Sequence, residues 1–118
     1  MSAEQFWKLN KASDENPVAS EKHVPVITVE GDITPGSAVV VKVDVGEGKH
    51  PNENAHHIQW VELRVNDLFV ARAEFTPVIT NPVAKFVVNV PSEGTLTLTA
   101  IERCNLHGLW ESAPVTIG

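Results

Sequence analysis

The chain has 118 residues, of which 42% are hydrophobic, and its 9 Lys+Arg against 15 Asp+Glu give a formal net charge of −6. This length fits one domain that buries its own core. The acidic balance excludes the basic footprint of a nucleic-acid-binding protein, so we expect no nucleic-acid partner. A single cysteine excludes an intrachain disulfide, and we expect a reducing, cytoplasmic compartment. No apolar run is long enough for a signal peptide or a membrane span, so we expect no membrane association.

The first twenty residues differ from the rest because they are polar and are interrupted by Pro17. Only residues 3–9, AEQFWKL, favour a single helical turn. We therefore predict an N-terminal arm over residues 1–20 that wraps the domain or meets a neighbouring subunit. One domain is expected over residues 21–118.

Beyond residue 23 the hydrophobic pattern has period two and is rich in Val, Ile and Thr, which predicts strands. In the second predicted strand, Val39, Val41, Val43 and Val45 share one face. Asn66 and Asp67 separate two runs and tolerate the positive φ of a two-residue hairpin turn. The predicted strands cover residues 24–29, 37–45, 57–65, 68–75, 84–90, 95–102 and 113–117. Short strands with regular turn signals indicate an all-β antiparallel sandwich or barrel.

Four of the five histidines and the one cysteine lie near predicted strand ends, in three separate segments. His50 and His56 share one polar connection, and Cys104 and His107 follow one strand, while His23 precedes another. Four imidazoles and a thiolate exceed the four ligands that close a zinc site, and their softness suits iron or copper. Five ligands on a six-coordinate ion leave one open position, which favours redox catalysis on a small molecule.

Each of these residues also has an ordinary structural interpretation. A single histidine at a strand end is commonly a solvated loop residue, and a single cysteine in a β core is commonly a small buried hydrophobe. His57 directly follows His56 and must face the other side if the strand begins there. We therefore expect His57 to pack or hydrogen-bond beside the site rather than to bind metal.

Three segments, EKHVPVI (21–27), HPNENAHHIQWVEL (50–63) and CNLHGLWES (104–112), resemble the signature motifs of the superoxide reductases. The resemblance covers residues 21–117 in order and is to the short form called neelaredoxin, without the N-terminal rubredoxin-like domain of desulfoferrodoxin. It implies a seven-stranded immunoglobulin-like β-barrel. It also implies one mononuclear iron, cycling between Fe²⁺ and Fe³⁺, with an open sixth position. The implied ligands are four equatorial imidazoles and an axial thiolate, from His23, His50, His56, His107 and Cys104.

The resemblance further implies that the protein reduces superoxide to hydrogen peroxide without dismutating it to dioxygen. Glu21 would then occupy the open position in the ferric state, and Lys22 would lie above it as the cation that meets superoxide and delivers a proton or holds a water. The ordinary structural interpretation of Glu21 is a salt-bridging surface carboxylate, and that of Lys22 is a solvent-exposed charge. The implied partners are a rubredoxin-like electron donor and further copies of the chain in a dimer or tetramer.

Two other functions are compatible with a β-sandwich. A cupredoxin-like electron-transfer protein uses two histidines, one cysteine and a weak axial methionine, but the only methionine here is Met1. A plain immunoglobulin-like binding module would carry its histidines incidentally and would bind no metal.

Overall fold

The computed structural model describes residues 3–13 and 22–118. It contains a single-turn helix α1, a short 3-10 helix and nine strands. In chain order the elements are α1 (Ala3–Phe6), β1 (Leu9–Lys11), β2 (Pro25–Glu30), β3 (Ala38–Val45), the 3-10 helix (Gly46–Gly48), β4 (Ile58–Val65), β5 (Leu68–Glu74), β6 (Val83–Asn89), β7 (Leu96–Cys104), β8 (Gly108–Glu111) and β9 (Val115–Ile117).

The strands form two sheets. One has the order β1-β8-β7-β4-β5, with β9 also pairing with β7, and the other has the order β2-β3-β6. Every pair is antiparallel except β1 with β8, which run parallel. No strand pairing within the described ranges joins the two sheets, so they form a sandwich that is not closed into a barrel. The predicted all-β class is confirmed, and the strand count of seven was too low because β1 and β8 were not predicted.

The core lies between the two sheets. The predicted inward face of β3 is confirmed, since its four residues are at most 1% exposed: Val39, Val41, Val43 and Val45. They pack against residues of β4 and β7, including Val61, Leu63, Leu98 and Ala100. Burying each valine stabilises the fold by roughly 1.5–3 kcal/mol. Cys104 belongs to the same cluster, so the core extends to the end of β7.

The hairpin between β4 and β5 has the predicted turn. Asn66 and Asp67 have φ values of 49° and 66°, which match the two positive φ values of a type I′ turn. The side chain of Asn66 also accepts a hydrogen bond from the Thr97 N–H at 3.0 Å. This contact ties the hairpin to β7.

The described part of the N-terminal arm packs on the larger sheet. The helical turn expected near the start is present as α1, and β1 pairs with β8 through Leu9–Leu109, Asn10–Trp110 and Lys11–Glu111. The division into an arm and a domain stays a prediction. None of the described helices has the length and apolar character needed to cross a membrane.

Candidate metal centre

The three histidine-containing segments meet at one end of the sandwich. His23 lies two residues before β2, His50 and His56 lie between β3 and β4, and Cys104 and His107 flank the turn between β7 and β8. One ligand atom from each of these five residues lies within 4.8 Å of all the others. Ligands on opposite sides of an ion with bonds of about 2.1 Å are about 4.2 Å apart, so the cluster has the size of a single-ion site.

The imidazole atoms that face the centre can be identified from their hydrogen bonds. His50 is fixed through Nδ1, which is 2.7 Å from the Pro51 carbonyl oxygen. Its Nε2 and that of His56 are buried without a hydrogen-bond partner among the described residues, and His23 Nε2 lies 3.0 Å from His107 Nδ1. Buried polar atoms normally have partners. A cation between these nitrogens would satisfy all four, so the donor set fits a metal ion.

Burial favours the neutral form of three of the four imidazoles. Burial lowers the pKa of His50 to about 4. Burial also lowers the pKa values of His56 and His107, and the positive charge of Lys22 contributes in the same direction. Neutral imidazoles offer the lone pairs that a metal requires.

The thiol of Cys104 is protonated in the absence of a cation. Burial raises its pKa to about 11, although hydrogen bonds from the backbone N–H groups of Leu106 and His107 act in the opposite direction. A bound cation favours the thiolate, so metal binding would release this proton.

The loop that carries His56 is held by two hydrogen-bonding motifs. Glu53 and His56 exchange backbone hydrogen bonds of 2.9 and 3.1 Å. Asn105 accepts from the His57 N–H at 2.8 Å and donates to the Ala55 carbonyl at 2.9 Å. The second motif ties this loop to the turn between Cys104 and His107. The role of Asn105 in holding this loop was not predicted from the sequence, although its position directly after Cys104 suggested a residue close to the site.

The remaining predicted site residues have different outcomes. His57 is not in the five-residue group, and its Nδ1 is buried with no hydrogen-bond partner among the described residues, so its place beside the site stays a prediction. Lys22 is exposed, and its positive charge contributes to lowering the pKa values of His56 and His107. Glu21 lies outside the described residues. The roles assigned to these side chains, and to the five donors as iron ligands, stay predictions.

Glu102 is a buried carboxyl that sequence reasoning did not assign to the site. It is fully buried, and neither carboxylate oxygen has a hydrogen-bond partner in the described structure. Burial raises its pKa well above the ordinary value. The alternation of Leu98 and Ala100 continues through Glu102 to Cys104, so the pattern did place this residue on the core face.

Comparisons with known proteins agree with the motifs and the geometry. The family model described as Desulfoferrodoxin matches residues 15–113. A superoxide reductase from Pyrococcus furiosus is 41% identical over 111 residues, covering 78% of this chain and 86% of that protein. A putative superoxide reductase from Methanocaldococcus jannaschii is 39% identical over 93 residues, covering 77% and 78%.

The fold of the chain is also similar to that of a solved structure. The superoxide reductase (neelaredoxin) from Ignicoccus hospitalis superposes with a TM-score of 0.78 at 31% identity, covering 99% of this chain and 98% of that one. The chain therefore belongs to the desulfoferrodoxin family, and within it to the superoxide reductases.

Proposed function

We propose that this protein reduces superoxide to hydrogen peroxide, without dismutation to dioxygen, at one iron ion held by five side chains. The proposed ligands are His23, His50, His56, Cys104 and His107. The observation that carries the proposal is the convergence of their donor atoms within 4.8 Å. Iron bound there would supply one electron and a coordination position for a small anion.

The donor set favours iron over the metals of the alternative functions. Four imidazoles and a thiolate exceed the four ligands of zinc. A blue-copper site has two histidines, one cysteine and a long axial bond to methionine, which four histidines around one cysteine do not reproduce. A binding module with incidental histidines gives no reason for two buried Nε2 atoms that lack partners in the part of the chain that the structure describes.

Lys22 is the residue proposed to attract the substrate. It is an exposed cation beside His56 and His107 in a protein with a net charge of −6. Such local focusing raises association rates by about 10–10³-fold and weakens as salt is added. Lys22 would also hold a water or deliver a proton, because an ammonium on a flexible stem is a mobile donor. Glu21 is proposed as the carboxylate that would reversibly occupy the open coordination position of the ferric iron.

The proposed reaction consumes one electron and two protons for each superoxide that becomes hydrogen peroxide. The backbone N–H groups of Leu106 and His107 would fix the thiolate of Cys104 and withdraw part of its charge, which tunes the electron donation of sulfur. The electron must be replaced from outside, so a rubredoxin-like carrier is the proposed donor. We further propose a cytoplasmic location and a homodimer or homotetramer.

Product stoichiometry tests the proposal. Protein reconstituted with ferrous iron and exposed to superoxide should give one hydrogen peroxide and one oxidised centre per superoxide consumed, with no dioxygen released. One dioxygen and one hydrogen peroxide per two superoxide would show dismutation and contradict the proposal. A protein that stays metal-free after reconstitution would contradict it as well. Cys104→Ser, which keeps a small polar side chain, is the matched variant that should lose the ferric-thiolate absorption band.

A further inference from the structure

Trp110 is a buried side chain on β8 that contacts two of the proposed ligands. It is 1% exposed, and its ring is stacked on the imidazole of His23 with centroids 4.9 Å apart and planes 18° apart. The contacts between the imidazoles themselves are edge-on, with interplanar angles from 75° to 88°. Trp110 therefore covers a face of His23 and limits the rotation of that ring.

The indole of Trp110 also contacts the turn that carries Cys104 and His107. Its Nε1–H donates a hydrogen bond to the His107 carbonyl oxygen at 3.0 Å. An indole has this single donor, and a buried indole needs a partner for it. The bond fixes the backbone of His107, three residues after Cys104. One side chain thus connects the segment before β2 with the turn between β7 and β8.

The N-terminal segment lies along β8, the strand that carries Trp110. Asn10 on β1 is opposite Trp110 in the parallel ladder and is 2% exposed. Its Nδ2 donates to the Leu109 carbonyl at 2.9 Å and to the Gln5 carbonyl at 3.0 Å. Gly108 has φ +84°, and a Cβ built there would be 2.8 Å from the Phe6 carbonyl oxygen, so the segment lies directly on β8.

We propose that Trp110 is a positioning residue that orients His23 and His107 toward the metal, and that Asn10 holds Trp110 in place from the N-terminal segment. This inference rests on the proposed metal site. Residues that orient metal ligands typically change metal affinity by about 10–100-fold when they are substituted. The family model matches residues 15–113, so Asn10 lies before the matched region.

The test is the rate at which a chelator removes ferrous iron from the holoprotein, together with the energy of the ferric-thiolate absorption band. Trp110→Phe keeps an aromatic face but lacks the N–H donor, and we expect iron loss about 10-fold faster with a shifted band. Trp60→Phe is the matched control, because Trp60 packs under Arg72 on the outer face at 4.1 Å and should leave both readouts unchanged. Iron loss and a band equal to wild type in Trp110→Phe would overturn the inference.

Asn10→Ala tests the N-terminal contact and also serves if Trp110→Phe does not fold. It should speed iron loss several-fold, and the double variant with Trp110→Phe should lose iron no faster than Trp110→Phe alone, because both changes act through one side chain. Unchanged iron loss in Asn10→Ala, or full additivity in the double variant, would overturn the role of Asn10. Failure of the wild-type protein to bind iron would instead refute the proposed function.

Discussion

Glu102 places a carboxyl inside an apolar core, two residues before Cys104. Its burial raises its pKa well above the ordinary value, so the folded protein retains a proton that the unfolded chain has already released. Unfolding releases this proton at every pH between the unfolded pKa and the folded one. The free energy of unfolding must therefore fall as the pH rises through that interval.

This sign gives a prediction for the metal-free protein between pH 6.5 and 9. Below that window His50 titrates with the opposite sign, because its folded pKa of about 4 lies below the ordinary value, and stability falls as the pH drops from about 6.5 to 4. Above about pH 9 the raised pKa of Cys104 adds a further loss. Inside the window, urea unfolding should show stability falling by up to about 1.4 kcal/mol per pH unit.

Glu102→Gln removes the titrating group and should flatten this dependence, whereas Glu93→Gln, which changes an exposed carboxylate, should not. Equal slopes for wild type and Glu102→Gln would show that Glu102 releases no proton on unfolding in this pH range, and would contradict the prediction.

Lys22 is the second residue whose proposed role can be measured. Lys22→Ala should slow the second-order reaction with superoxide by about 10-fold at low ionic strength, because the local attraction for the anion is lost. The wild-type rate should fall as salt is added, and the variant's rate should fall less. The measurement is pulse radiolysis on the reduced protein, with iron content checked for each sample. Lys85→Ala removes another exposed lysine from β6 and serves as the control. A variant as fast as wild type at low salt would remove Lys22 from the mechanism.

At the scale of elements, the end of β3 determines how two ligand segments approach each other. Gly46 has φ +69°, and a Cβ built there would be 2.5 Å from the Lys22 carbonyl oxygen and 3.2 Å from His50 Cβ. Gly48, two residues later, has φ +83° with nothing within 4 Å of a built Cβ. The two glycines therefore share a left-handed backbone and differ in the space around them.

This difference predicts different outcomes for the two alanine variants. Both should lose about 1–2 kcal/mol of stability, because alanine is strained at positive φ. Gly46→Ala must also displace the backbone of Lys22, which precedes His23, and should release ferrous iron to a chelator at least about 10-fold faster. Gly48→Ala should hold iron like wild type. Chelator kinetics and urea unfolding measure the two effects separately, and equal iron loss in both variants would contradict this account of the β3 end.

The elements that were predicted from the sequence are those whose residue types form a recognisable pattern over a few neighbouring positions. The valines of β3 alternate over eight residues, and the Asn66–Asp67 turn has the residue types that positive φ requires. β1 and β8 have three and four residues, too few for a period to appear. The parallel pairing of β1 with β8 depends on Asn10 meeting a strand about a hundred residues later, and no local pattern encodes that contact.

For the molecule as a whole, the sequence indicated which side chains come together but not which contacts hold them. Residue types and motif order selected His23, His50, His56, Cys104 and His107, and the structure brings all five together. Which imidazole nitrogen faces the centre, Nε2 or Nδ1, depends on hydrogen bonds such as that between His50 and the Pro51 carbonyl. The stacking of Trp110 on His23 depends on how the two sheets pack against each other. Both are consequences of tertiary packing, which spacing along the chain does not specify.

The central claim is that all five side chains bind one iron, with a single sulfur in its first coordination shell. X-ray absorption at the iron edge of the reduced wild-type protein tests it most directly. We predict about four nitrogen neighbours and one sulfur neighbour at roughly 2.3 Å, a distance typical of metal-thiolate bonds. A first shell of nitrogen and oxygen alone, with no sulfur, would contradict the account.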